Sequence, residues 1–384
     1  MQTTPVLNVD QLKSQARELQ AGYGSLNGET LRRVRCHFAD RPRPNSPVKS
    51  LSLSQAQLVI ARENGFKSWP RLKHHTEAGK LVSADVFDRA VATVIGGDAF
   101  GLSRLISGNP RIVHGRSASK HGATLLHYVA ANGIEDNLQK TPPNAPEIAR
   151  ILIRAGAEID ALAKTYGCGL NQTTLALLVS SFHPAHAGVQ AEFVHVLAAA
   201  GAAIDGLSDD GYPLRLAIQS GYPLAAKALV EEGARVDSIA DAAGLGETDQ
   251  LAILIGENTE PRLLQEGLAF ASRCGESGTA DMLLKSGADI DFLWDGGGTA
   301  VHDAILWDRS QMVQFLVASG ADLDMKHGQF NATPLDFASY NGKVDIVRFL
   351  LKQGADDLDV ALESAVTQGY AEIADLLMQA RRDR

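Results

Sequence analysis

Residues 287–308 read GADIDFLWDGGGTAVHDAILWD and concentrate the side chains most able to do chemistry. Trp294 and Trp307 bracket Asp295, His302 and Asp303, and Asp308 follows directly. Carboxylates and an imidazole beside indole rings suit stacking on a sugar or polyol and moving a proton to or from it. Clustered aromatic groups with an arginine nearby are equally the material of protein-interface hot spots. Asp303 and Trp307 stand four apart, so on a helix they share a face. The stretch therefore reads either as a site that binds or as one that also reacts.

Other candidates are weaker. His183 and His186 are spaced like metal ligands on a helical turn, but Pro184 lies between them and no neighbouring Cys, Asp or Glu completes a set. Cys274 follows Arg273, whose charge would favour a thiolate; against that, a free cysteine commonly serves as a small packing residue. GGDAFG and GLGETD match neither a phosphate-binding P-loop nor a dinucleotide fingerprint. The run DGGG at 295–298 could offer amides to an anion, although glycines serve more often in turns. No cofactor and no metal are expected.

The elements that must position these residues repeat along the chain. Gly-Ala, preceded by a leucine-rich segment, recurs at Gly156, Gly201, Gly233, Gly287, Gly320 and Gly354, with separations of 45, 32, 54, 33 and 34 residues by subtraction. Each unit opens on a small or polar turn, runs into a short helix, breaks, and continues as a longer helix with apolar residues at i, i+3 and i+4. Glycine after the second helix suits a left-handed C-cap, and threonine before the first can cap its free amides. One helix pair cannot bury its apolar side alone, so neighbours must stack.

The pattern resembles the ankyrin repeat. Its carriers are Thr333-Pro334-Leu335, Gly342 and Gly354-Ala355-Asp356, with Thr124-Leu125-Leu126-His127 and Thr299-Ala300-Val301-His302 keeping the histidine and losing the proline. The resemblance covers roughly residues 85–384 and implies an all-α solenoid of stacked helix pairs with short hairpin loops and a concave face. It also implies that His127 and His302 bridge backbone groups of neighbouring turns. About nine repeat-like units are expected over residues 81–384, with insertions near 134–146 and 181–190. Residues 1–80 form a separate small helical region. Its Leu51-Ser52, Ala56-Gln57, Ala61-Arg62-Glu63, Gly65-Phe66 and Ser68-Trp69-Pro70 resemble a leader found ahead of ankyrin arrays in bacterial proteins. It reads as a cap on the solenoid, with a basic docking surface (Arg32, Arg33, Arg35, Arg41, Arg43) as the rival reading.

Bulk composition narrows the function classes. A net charge of −9 opposes general nucleic-acid binding, and three scattered cysteines with no long apolar run suit a cytoplasmic, membrane-free protein. In the register that the resemblance sets, Asp303, Leu306 and Trp307 correspond to Phe337, Tyr340 and Asn341 in the next repeat and to Phe270, Arg273 and Cys274 in the preceding one. Trp294, Asp295, Asp303, Trp307, Arg273, Tyr340 and Asn341 are therefore expected to share one groove. The leading expectation is recognition of a protein or peptide partner. The alternative is a lyase or hydrolase acting on a sugar- or polyol-like small molecule through Asp and His groups.

Overall fold

A computed structural model describes residues 9–25, 30, 33–34, 51–63, 68–70, 72–73, 84–119, 121–131, 140–164, 171–257, 260–294 and 297–383. The fold is all-α, and nine helix pairs follow one another among those residues. Contacts divide the chain into two compact units, residues 1–216 with 227–234, and residues 217–226 with 235–384, and the division runs through the pair Tyr212–Gln219 and Pro223–Glu231.

In the first unit, helices Val9–Gly24 and Leu53–Glu63 pack against each other. They bury Leu12, Ala16 and Leu19 with Ala56, Val59 and Ile60 in an apolar core of their own. The Arg33 guanidinium grips the Glu63 carboxylate through two hydrogen bonds of 2.7 Å. Arg32, Arg35, Arg41, Arg43, Gly65 and Phe66 lie outside the described residues.

The repeats of this unit begin with Ala84–Ile95 and Ala99–Gly108, then Leu125–Ala131 with Ala145–Arg154, then Thr174–Ser180 with Gln190–Ala199. A short antiparallel hairpin, Leu162–Lys164 with Asn171–Thr173, precedes the third pair and sets Leu162 opposite Thr173. Asn171 donates through Nδ2 to the carbonyl of Arg62, tying the helix Leu53–Glu63 to this hairpin. The buried Arg116 guanidinium donates to the carbonyls of Gly122 and Leu162 at 3.0 and 2.7 Å, and desolvation lowers it to about 10. The surplus residues between Gly156 and Gly201 are shared between this hairpin and the short helix Phe182–His186. Alternation over so few residues is no sequence signal for a strand.

In the second unit, Ile239–Leu245 pairs with Thr248–Glu257, Pro261–Cys274 with Ser277–Lys285, Ala300–Leu306 with Ser310–Ala318, Pro334–Tyr340 with Val344–Lys352, and Leu358–Gln368 with Ala371–Asp383. One apolar strip runs through all of them, from Ile239 through Leu283, Leu316 and Leu350 to Leu377. Each such leucine, fully buried, contributes about 2–3 kcal/mol. Ser238 and Thr333 cap their helices, accepting hydrogen bonds from the amides of Asp241 and Asp336 at 3.0 and 3.3 Å. Gly287, Gly320 and Gly354 take left-handed φ values of 100°, 97° and 89°, the conformation that ends each second helix cheaply only with glycine. Successive hairpins are joined: Gly328 N donates to Gly297 O at 2.7 Å, and Asp322 N donates to Asp291 Oδ1 at 2.9 Å.

Candidate partner-binding site

Arg273 and Asp303 meet across two repeats of the second unit. Arg273 sits in the last turn of Pro261–Cys274, and its Nε donates to Oδ1 of Asp303, on Ala300–Leu306, at 3.0 Å. The guanidinium also lies 5.4 Å from the centre of the Phe270 ring, so one flank of the cation is held by an aromatic face. Asp303 Oδ2 is buried and meets no hydrogen-bond partner among the described residues. Burial pushes the Asp303 carboxyl up, and the charge and hydrogen bond of Arg273 pull it part of the way back.

His302, beside Asp303 in sequence, is engaged elsewhere. Its Nδ1 lies 3.3 Å from the Thr299 amide and 3.0 Å from the Thr299 hydroxyl, and its Nε2 lies 3.0 Å from the carbonyl of Ala332 in the next repeat. An Nδ1 that accepts the amide hydrogen leaves the proton on Nε2, which donates to Ala332. Burial lowers this histidine to about 4, so the ring is neutral at pH 7. His127 repeats the arrangement with Thr124 N and Gln172 O, each at 3.2 Å, and burial lowers it to about 3. Both histidines hold the bridging role that the resemblance implied.

Trp307 caps Ala300–Leu306 and turns toward an earlier part of the unit. Its ring meets Tyr222 edge-on with centroids 5.5 Å apart and covers Gly221 so closely that an added Cβ would stand 2.4 Å from the indole Cδ2. Arg309, two residues on, donates through Nε to Arg273 O at 2.9 Å and through Nη2 to Gly221 O at 2.7 Å. Trp307 is half-buried in this clasp. Trp294 is half-buried and edge-on to Phe292 at 5.1 Å. Tyr340 is 52% exposed. Asn341 donates through Nδ2 to Phe337 O at 2.7 Å, closing its own helix. Asp295 lies outside the described residues. Among the expected site residues, then, the contacts join Arg273 to Asp303 and direct Trp307 to Gly221 and Tyr222.

The other sequence candidates have local partners. Cys274 is buried, with Sγ 3.8 Å from the carbonyl of Ile218. His186 stacks on Phe182 at 5.4 Å, and His183 meets the same ring edge-on. Among the described residues no cluster of three or more His, Cys, Asp or Glu could hold a metal ion, and no helix is long and apolar enough to cross a membrane. Sequence reasoning did not single out Gly221, Tyr222, Arg309, His327 or Phe330. His327 stacks on Phe337 at 5.2 Å and lies 4.8 Å from Phe330, while Phe330 itself is 60% exposed.

Residues 302–351 match the family model described as ankyrin repeats in many copies. Over 222 residues, 56% of this chain, the protein is 28% identical to the ankyrin repeat and KH domain-containing protein mask-1 of Caenorhabditis elegans, covering 8% of that protein. It is 30% identical over 135 residues, 33% of this chain, to the mouse ankyrin repeat and SOCS box protein 6, and covers 32% of it. A putative ankyrin repeat protein of fowlpox virus is 28% identical over 142 residues, 35% of this chain and 32% of the viral protein. The chain thus spans about a third or less of each of these relatives, and the likeness is to their ankyrin-repeat character.

Proposed function

We propose that this chain recognises a protein or peptide partner through the face of its second unit where the 287–299 hairpin meets the ends of helices Pro261–Cys274, Ala300–Leu306 and Pro334–Tyr340. The observation that carries the reading is the set of large apolar side chains left exposed on this hairpin, on the next one and at the helix ends: Phe292, Leu293, Leu306, Phe330 and Tyr340. Soluble surfaces seldom carry such a set without a partner to cover it. Stacked repeats suit the task, since they present an extended surface on a stiff frame. In this reading Trp294, Asp295 and Tyr340 make contacts, Arg273 and Asp303 form a fixed polar centre, Trp307 and Asn341 hold the surface in shape, and the chain works in the cytoplasm. The test is affinity capture compared between the native chain and Trp294→Ala/Tyr340→Ala. The captured protein should be lost from the variant while its circular dichroism is unchanged; equal capture by both overturns the assignment.

One observation favours a second reading, a small-molecule lyase or hydrolase: the Asp303 carboxyl is held up by burial beside Arg273, as a general acid would require. Calorimetric titration with sugars and polyols against the native chain and Asp303→Asn checks it, and absence of heat with the native chain overturns it.

A further inference from the structure

Two neighbouring hairpins of the second unit present bulky apolar groups as one patch. Phe292 and Leu293 are 37% and 38% exposed on the first, and Phe330 is 60% exposed on the second. The backbone bond from Gly328 N to Gly297 O holds the hairpins side by side, and the bond from Asp322 N to Asp291 Oδ1 pins their bases. Side chains carry the connection across: Phe292 meets Trp294, Trp294 adjoins Gly297, and Phe330 rests on His327.

Carboxylates accompany these side chains on both hairpins. The parallel segments GADID and GADLD place Asp289 and Asp291 on one hairpin and Asp322 and Asp324 on the next. Three of them spend an oxygen on the turn: Asp289 Oδ1 accepts from Asp291 N at 3.0 Å, Asp322 Oδ1 from Asp324 N at 2.8 Å, and Asp291 Oδ1 from Asp322 N. A hydrogen bond from a backbone amide leaves the negative charge in place. None of the four makes an ion pair among the described residues, and Lys326 is the one Lys or Arg on the described parts of these hairpins. The two hairpins therefore combine exposed apolar groups with a net negative charge.

We infer, resting on the recognition reading above, that these hairpins dock a basic amphipathic peptide segment. Its bulky aliphatic or aromatic side chains cover Phe292, Leu293 and Phe330, and its flanking lysines or arginines meet the free aspartate oxygens. Apolar burial supplies the affinity, and the carboxylates select the sign of the partner's charge. The same carboxylates repel an acidic peptide, a nucleic-acid backbone and an anionic lipid surface, so the electrostatics point to one class of occupant.

The test is selection of random displayed peptides on the immobilised full-length chain, followed by fluorescence anisotropy with a synthetic copy of an enriched peptide. Enriched peptides should carry lysine or arginine on both sides of an apolar core. Phe292→Ser/Phe330→Ser should weaken binding by about tenfold or more, as loss of central anchors does. Asp324→Lys should weaken it by about threefold to tenfold at low ionic strength, with most of that difference gone at about 0.5 M salt. Circular dichroism checks the fold of each variant, and Leu293→Ser replaces the double variant if loss of the Phe330 contact with His327 unfolds it. Enrichment of acidic or uncharged peptides, or binding indifferent to both changes, overturns this partner chemistry and leaves recognition by other residues standing. No enrichment at all on the native chain overturns the recognition reading itself.

Discussion

Trp307 lies directly over Gly221, and the space between them admits no further carbon: a Cβ on Gly221 would come within 2.4 Å of the indole. Gly221 also has a φ of +67°, which is strained for any residue with a side chain. Gly221→Ala must both adopt that φ and displace the ring, so it should cost about 2–4 kcal/mol, the sum of a left-handed penalty and overpacking. Urea denaturation gives the stability. A red shift in tryptophan emission that is missing from Gly221→Ala/Trp307→Phe assigns the displaced ring.

Stability should fall on acidification because of His302. Its folded value of about 4 lies below the ordinary 6.5, so the folded chain holds fewer protons than the unfolded chain between those values. The contribution of the neutral ring is complete above pH 6.5 and is lost as pH drops toward 4, amounting to about 3 kcal/mol. Asp303 works in the opposite direction: its raised carboxyl takes up a proton more readily in the folded chain, which favours folding as pH falls. Denaturation midpoints measured from pH 7 to pH 4 should decline for the native chain and decline less for His302→Gln. Equal declines for both remove His302 as a cause.

The Arg273–Asp303 pair predicts a non-additive cycle. Side-chain exposures of 20% and 13% leave some screening by water. Arg273→Met strands a buried carboxylate and should cost about 2–4 kcal/mol, somewhat less than for a fully buried pair. Asp303→Leu together with Arg273→Met should cost less than the two single changes added, because neither leaves a charge behind. Urea denaturation of the four proteins measures the coupling, and strict additivity would show that the contact carries no energy.

Asp308 occupies a turn at φ +58°, and the corresponding residues of other repeats are Gly221, Gly246, Gly275, Gly342 and Gly369, all left-handed. Its carboxylate reaches Lys343 at 3.4 Å but is 62% exposed, so the ion pair adds little. Asp308→Gly should therefore stabilise the chain by about 0.5–1 kcal/mol through relief of the backbone strain. A lower denaturation midpoint for this variant would mean that the link to Lys343 outweighs the strain.

The repeat elements were legible in the sequence because their chemistry is local. Glycine at 287, 320 and 354 needs only its own φ, and Thr299 with His302, or Thr124 with His127, closes a cap over three residues. The register likewise put Arg273 near Asp303, one repeat apart, and the two are bonded. Trp307 was placed on the right helix, but its neighbours were not foreseen, since nothing local says that Gly221 and Tyr222 will lie beneath it. The same limit applies to the first two helices. A helical region was expected, but a private core joining Leu12 to Val59 depends on contacts distant in sequence.

The two hydrogen bonds of Arg309 give the second unit an unusual folding problem. In a stack of repeats each element usually touches only its neighbours, so repeats can melt from an end one at a time. The bond from Arg309 to Gly221 spans 88 residues and closes a loop around the intervening helix pairs. Its loop-closure entropy is met only once those pairs are in place. The bond therefore favours joint rather than one-by-one unfolding of the second-unit repeats that lie between its two ends.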